Sequence, residues 1–348
     1  MLALQLPGAT IPVMNDVMNV HLSRMLRSVF SNLAPLLDDP DVGEIMVNGE
    51  DKVWIERGGM LERVPVSFSS KEAGNAIQIL AALSDREVGP RHGVLLDTSF
   101  GNMRVSAVLF PIATQGNALC IRKHAGMRHT VHDYLPCPSH FSPATEAEPQ
   151  TGAAINWLHP VQAVLAGWIS NRKNVLVSGG TSTGKTTFLN ALIQMFPHSE
   201  RLVVIEDTRE LTIASPNFVS FEAHPEHQVT IRDLVKQTLR FRPDRIIVGE
   251  VRGGEAFDLL QAMNTGHAGC LGTLHANSAV DALHRLEQMV LQSGVEWPVS
   301  AIAQQISNCI DGVIHLGRVS GTRQIVDLIQ VEGRHNGDYQ TRSLFQAS

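Results

Sequence analysis

The stretch Gly179-Gly180-Thr181-Ser182-Thr183-Gly184-Lys185-Thr186-Thr187 fits the pattern G-x-x-x-x-G-K-[ST] without a mismatch. Its glycines let backbone N–H groups curl around a phosphate, and the helix that follows adds its positive N-terminal end. Lys185 is placed to neutralise β- and γ-phosphates, and Thr186 to hold Mg²⁺. The pattern has meaning only between a strand and a helix. Asn174-Val175-Leu176-Val177-Ser178 reads as the strand and Phe188-Leu189-Asn190-Ala191-Leu192-Ile193 as the continuing helix.

Carboxylates stand at the ends of two further apolar runs. Glu206, Asp207 and Glu210 follow Val203-Val204-Ile205, and Glu250 follows Ile246-Ile247-Val248-Gly249. Beside a phosphate loop, one such group can hold the Mg²⁺ shell while another orients and deprotonates an attacking water. Glu250, Glu206 and Lys185 are therefore the catalytic candidates, and Asp207 joins Thr186 as a candidate for Mg²⁺ held through the nucleotide. His267 and His275 flank a third apolar run. A neutral imidazole near a γ-phosphate can hydrogen-bond to it and register its loss. They lack a carboxylate or thiol at ligand spacing, so a metal site is the weaker reading, and Cys270 reads as a small buried residue.

These groups need a parallel sheet to carry them. Arg201–Ile205, Arg245–Val248 and Gly269–Leu274 are short apolar strands, with helices at Leu234–Phe241 and Ala256–Met263 between them. In such sheets ligands bind at the carboxyl ends of the strands, where the loop, carboxylates and His275 all fall. Upstream, apolar positions from Val17 to Leu36 predict an amphipathic helix over 14–37. Strands follow at 44–48, 52–56, 61–66, 103–109 and 118–123. Ser69-Ser70-Lys71-Glu72 caps a helix through Leu83. Between Pro136 and Gly152, four prolines punctuate a polar stretch that reads as a linker. A second domain then opens with a helix at 155–169. The expected division is a small α+β domain over 14–135, the linker 136–152, and an α/β domain over 153–348.

At 348 residues, 43% hydrophobic and 18% charged, the chain has the composition of a two-domain soluble protein. No run reaches the ~18 apolar residues of a membrane span, and Met1–Gly8 lacks a basic n-region, so a cytoplasmic location is expected. Four scattered cysteines suggest neither a disulfide framework nor a zinc site. A net charge of −6 and the lack of a basic or aromatic stripe argue against stable nucleic-acid binding.

With its strand ends taken together, the sequence resembles the type II/type IV secretion ATPase family, and within it the traffic ATPases of conjugative and type IV secretion systems. Four family boxes are readable in order. They are the phosphate loop, an aspartate box at 201–211, a Walker B stretch at 239–252, and a histidine box from Thr265 to Asn277. Asp39–Gly49 and Cys120–Lys123 are similar to the family's first domain. The resemblance implies a PAS-like N-terminal α+β domain followed by a RecA-like P-loop NTPase domain. It implies a homo-hexamer, peripheral on the cytoplasmic face of the inner membrane through partner proteins of the secretion or conjugation machinery. It further implies ATP hydrolysis with Mg²⁺, with Arg104 and Arg122 closing on the γ-phosphate.

The chain departs from the family before Arg104, where Ser99-Phe100-Gly101-Asn102 replaces the usual proline, acidic residue and glycine. Gly253 follows Arg252 where general secretory members carry aspartate, and the tetra-cysteine insert is absent. Both features favour the type IV or conjugative branch. A Tad-type or type II pilus-assembly ATPase, a direct DNA translocase and a nucleotide-gated scaffold remain as alternatives.

Overall fold

The computed structural model describes residues 28–89, 93–100, 103–123, 129–136, 159–224 and 227–347, which pack as two units divided after Gly126. The expected linker lies outside the described residues apart from Pro136.

The first unit is a six-stranded antiparallel sheet with a small helical complement. A short helix α1 (Ala34–Asp38) precedes β1 (Val42–Asn48), β2 (Val53–Arg57) and β3 (Met60–Val64). Helix α2 (Ser70–Leu83) separates these from β4 (Leu95–Phe100), β5 (Met103–Val108) and β6 (Ala118–Lys123). The order β3-β2-β1-β6-β5-β4 places the two halves side by side through β1 and β6. The capping box at Ser69 forms as its sequence predicts. Glu72 accepts from the Ser69 N–H at 2.7 Å, and Ser69 Oγ accepts from the Glu72 N–H at 3.2 Å. Ala73, Ala76, Ile77 and Leu80 of α2 then pack on Ile45, Val47, Ile55 and Ile121. The helix expected over 14–37 is corrected within its described part, for turns occupy 30–33 and a new helix starts with Pro35 in its first turn, where a missing N–H costs nothing. Its earlier residues lie outside the described ones.

The second unit is an eight-stranded mixed sheet. Its elements are α3 (Pro160–Ser170), β7 (Val175–Gly179), α4 (Lys185–Ile193), β8 (Leu202–Glu206), β9 (Phe218–Glu222), α5 (Ile231–Thr238), β10 (Arg245–Val248), α6 (Glu255–Asn264), β11 (Leu271–His275), α7 (Ala279–Gln292), α8 (Val299–Cys309), β12 (Gly312–Val319), β13 (Thr322–His335) and β14 (Asp338–Gln346). The order is β14-β13-β12-β7-β11-β10-β8-β9, parallel from β12 to β9 and antiparallel across β12, β13 and β14. Strand alternation decides which face each residue buries. Leu176, Ile246, Val248 and Leu274 meet α5 to α8 on one face. Val175, Val177, Ile247 and Leu271 meet α3 and α4 on the other.

Two boundaries differ from the sequence expectation. Helix α3 begins at Pro160, with the His159 ring accepting from the Val161 N–H at 3.3 Å. Val131 and Tyr134, placed by sequence at the end of the first domain, pack in the second core. The Tyr134 ring meets Phe188 of α4 edge-on at 5.0 Å.

Under the amino ends of the strands lies an ion pair of unusual depth. Arg245, 1% exposed, holds Glu200 at 2.5 Å, and Arg172 reaches the same carboxylate at 2.8 Å. Removing the carboxylate strands a buried guanidinium, so Glu200→Ala is expected to cost about 3–5 kcal/mol of unfolding free energy in urea titration. Loss under about 1 kcal/mol would show that Arg245 needs no counter-charge.

Candidate functional site

The phosphate loop leaves β7 at the centre of the parallel strands. Gly179 is in register with His275 of β11 on one side and Leu316 of β12 on the other. This crowding explains the first glycine. A Cβ on Gly179 would lie 2.6 Å from Thr183 Oγ1 and 2.7 Å from the Leu316 carbonyl, closer than real Cβ atoms come. Gly184, at φ +87°, supplies the left-handed turn that starts α4. Thr183 Oγ1 ties the loop by donating to the Gly180 carbonyl at 2.9 Å.

Lys185 is 7% exposed. Its Nζ donates to the carbonyls of Gly180 at 3.0 Å and Gly179 at 3.2 Å, and both ring nitrogens of His275 lie 3.3 Å away. Burial holds this ammonium below the ordinary lysine range, with Glu250 opposing the shift. His275 Nε2 is also 3.3 Å from Glu250 Oε1. Burial and the adjoining Lys185 lower the His275 pKa, leaving a neutral ring at physiological pH. Such a ring can accept from Lys185 through Nδ1 while its Nε2–H faces Glu250. Loop, histidine and carboxylate thus form one connected set.

Glu250 and Glu206 are pushed apart electrically. Burial works to raise Glu250, but Arg252 at 2.7 Å, with His275 and Lys185, outweighs it and keeps the carboxylate ionised. Glu206 is 3% exposed, and burial raises it to about 7, although its Oε1 accepts from the backbone N–H groups of Glu210 at 2.8 Å and Leu211 at 2.9 Å. The two neighbour each other through parallel β8 and β10. A Cβ on Gly249 would stand 3.0 Å from Glu206 Cγ, so this glycine is what lets Glu206 lie beside the strand end carrying Glu250.

Four sequence-predicted residues have other surroundings. His267 is corrected: it sits before the amino end of β11, its Nδ1 3.2 Å from the Ala262 carbonyl at the C-terminus of α6. The strand Leu271–His275 separates it from the loop, so its predicted sensing role has no geometry here. Asp207 is bound to Arg252 at 2.6 Å and accepts from the Thr208 N–H at 2.9 Å. Arg104 and Arg122 are directly opposed across β5 and β6 in the first unit. Arg104 pairs with Asp97 at 2.8 Å and Arg122 with Glu44 at 2.6 Å.

Sequence reasoning missed residues on the far side of the loop. His315 of β12 lies 2.9 Å from Ser178 Oγ and joins β12 to β7 just before the loop begins. Arg318 donates to the Ser182 carbonyl at 3.3 Å. The apolar run Val313-Ile314-His315-Leu316, with one histidine inside it, was the available signal.

A phosphate loop at the centre of a parallel sheet, with a carboxylate and an imidazole from the neighbouring strand ends gathered on its lysine, defines the second unit as a P-loop nucleotide-binding module. A family model described as type II/IV secretion system protein matches residues 159–342. The chain belongs to that family. It is 33% identical to a conjugal transfer protein, TrbB, from Rhizobium radiobacter over 92% of this chain and 93% of that one. It is also 33% identical to the type IV secretion system protein PtlH of Bordetella pertussis, over 86% and 94% of the two chains. Among solved structures, the ATPase DotB of Legionella pneumophila shares the fold, with a TM-score of 0.58 at 19% identity over 90% of this chain and 81% of that one.

Proposed function

We propose that this chain is an Mg²⁺-dependent ATPase that powers type IV secretion or conjugal transfer. The observation that carries the reading is the Lys185–His275–Glu250 contact, which binds the phosphate loop to the carboxylate of the neighbouring strand end. The conjugal transfer and type IV secretion relatives, similar along nearly their whole lengths, support the branch.

In the proposed reaction, water attacks the γ-phosphorus of ATP and the bond to the β-phosphate oxygen breaks, giving ADP and phosphate. Lys185 and the loop N–H groups neutralise charge on the transferred group. Glu206 takes the water proton, since its raised pKa suits a base working near neutrality. Glu250 stays ionised and, with the Thr186 hydroxyl, supplies the hard oxygen donors that suit Mg²⁺. Held there, Mg²⁺ would supply positive charge that offsets the charge of the phosphates. His275 sits between Lys185 and Glu250, where loss of a γ-phosphate changes the partners of both.

The strand order of the first unit supports a PAS-like reading, and the central parallel strands of the second support a RecA-like one. The subunits are proposed to form a cytoplasmic homo-hexamer held at the inner membrane by the machinery it drives. Arg104 and Arg122 are proposed to exchange their carboxylate partners for the γ-phosphate during the cycle.

Purified protein is expected to hydrolyse Mg²⁺-ATP at steady state. Glu250→Gln should lower turnover about 10–100-fold, by weakening the hold on the ion, while nucleotide binding persists. Equal loss of binding and turnover would assign Glu250 to structure alone. Undetectable turnover in the parent protein with intact nucleotide binding would favour a nucleotide-gated scaffold.

A further inference from the structure

Lys185, His275 and Glu250 gather on the β11 side of the phosphate loop. The opposite flank is formed by β12 and β13, which join at a tight turn through Ser320 and Gly321. Arg318 of β12 and Arg323 of β13 are directly opposed in the register of this hairpin. Opposed residues of an antiparallel pair project from the same face, and like charges in that position repel. Among the described residues neither arginine has a carboxylate partner, in contrast to the opposed Arg104 and Arg122, each of which has one.

Both arginines lie on the loop. Arg318 Nη2 donates to the Ser182 carbonyl at 3.3 Å. Arg323 covers Gly184, where an added Cβ would meet Arg323 Cδ and Tyr134 Oη at 3.1 Å each. Tyr134 in turn is hydrogen-bonded to Thr187, in the first turn of α4. The arginine pair therefore touches the loop backbone at Ser182 and Gly184, on the flank away from His275. In a phosphate loop of this pattern the lysine reaches the β- and γ-phosphates and the backbone cradles the α- and β-phosphates. Guanidinium forks match phosphate oxygens in shape as well as charge.

We infer that Arg318 and Arg323 form the α-phosphate end of the nucleotide site, an opposed cation pair whose repulsion is relieved by a bound nucleoside di- or triphosphate. This rests on the reading of the loop as an ATP site and adds two residues to it. It predicts an opposite sign for stability and binding. Removing one of two opposed, exposed cations should leave the ligand-free melting temperature unchanged or higher, because the hairpin loses repulsion and no buried contact.

The test is calorimetric titration of full-length Arg318→Ala and Arg323→Ala proteins with Mg²⁺-ATP, Mg²⁺-ADP and tripolyphosphate. Each substitution is expected to weaken all three ligands by a similar factor, about 10–100-fold, the range for hydrogen bonds to charged groups. The factor should shrink as salt is raised, since the pair is exposed. Weakening of ATP alone would place the pair at the γ-phosphate and overturn the inference. Weakening of ATP and ADP with tripolyphosphate unchanged would assign the pair to the nucleoside, and unchanged binding of all three would remove it from the site. A lowered melting temperature with unchanged ratios among the ligands would mark the arginines as structural. Failure of the parent protein to bind any of the three would instead overturn the ATP reading itself.

Discussion

Lys185→Ala is expected to reduce ATP turnover at least about 10²–10³-fold, the loss that follows removal of one preorganised group facing charge developed in a transition state. The substitution also deletes the donor shared by the Gly179 and Gly180 carbonyls and the His275 ring. Nucleotide affinity should therefore fall together with turnover, unlike the outcome for Glu250→Gln. Lys185→Met fills the same volume without charge and keeps the packing of α4 against β7 and β11. Circular dichroism and melting on the Met variant separate loss of chemistry from loss of fold. A folded Met variant with undiminished hydrolysis would exclude the loop from catalysis and end the ATPase reading.

The loop and its carboxylates were legible because each sits where a pattern changes. An apolar run stops at Gly179, at Glu206 and at Val248, and in a parallel sheet each stop is a strand end on the same edge. Partners across the sheet were not legible in this way. Asp207 and Arg252 follow adjacent strands but lie forty-five residues apart in sequence, and only the fold pairs them. His267 and His275 look equivalent in sequence, since both flank one apolar run. They are separated by the length of β11, whose rise of ~3.3 Å per residue carries one to the loop edge and leaves the other behind.

The β12–β13 hairpin escaped for a different reason. It lies after the motifs had already accounted for a nucleotide site, and Gly312 and Gly317 interrupt its apolar alternation. The fold uses both glycines for close approach: a Cβ on Gly312 would meet the Trp168 ring at 2.3 Å, and one on Gly317 would meet Val326 at 2.8 Å. The residues that break the pattern are thus the ones that let β12 close on α3 and β13.

Glu206→Gln is expected to have the largest effect on the reaction's pH dependence. With Glu206 titrating at about 7, kcat of the parent protein should rise with pH through that value and level off above it, as the carboxylate becomes the base. The variant should lose about 10²–10⁴-fold at the plateau and show no ascending limb, with nucleotide affinity retained. Stability moves the opposite way. The carboxyl is raised from 4.5 to about 7 by burial, so the folded state holds its proton more tightly than the unfolded chain does. That contribution is fully present below pH 4.5 and is lost as pH rises through about 7. Glutamine keeps an oxygen to accept from the Glu210 and Leu211 N–H groups and never ionises. Its melting temperature should therefore gain on the parent's as pH rises from 4.5 to 8. Glu250→Gln should leave the limb in place, because Arg252 and Lys185 hold the Glu250 carboxyl below the ordinary carboxylate range. A limb that persists in Glu206→Gln but vanishes in Glu250→Gln would exchange the two roles. If the limb vanishes in Glu206→Gln without the melting difference growing with pH, burial is not what tunes the base.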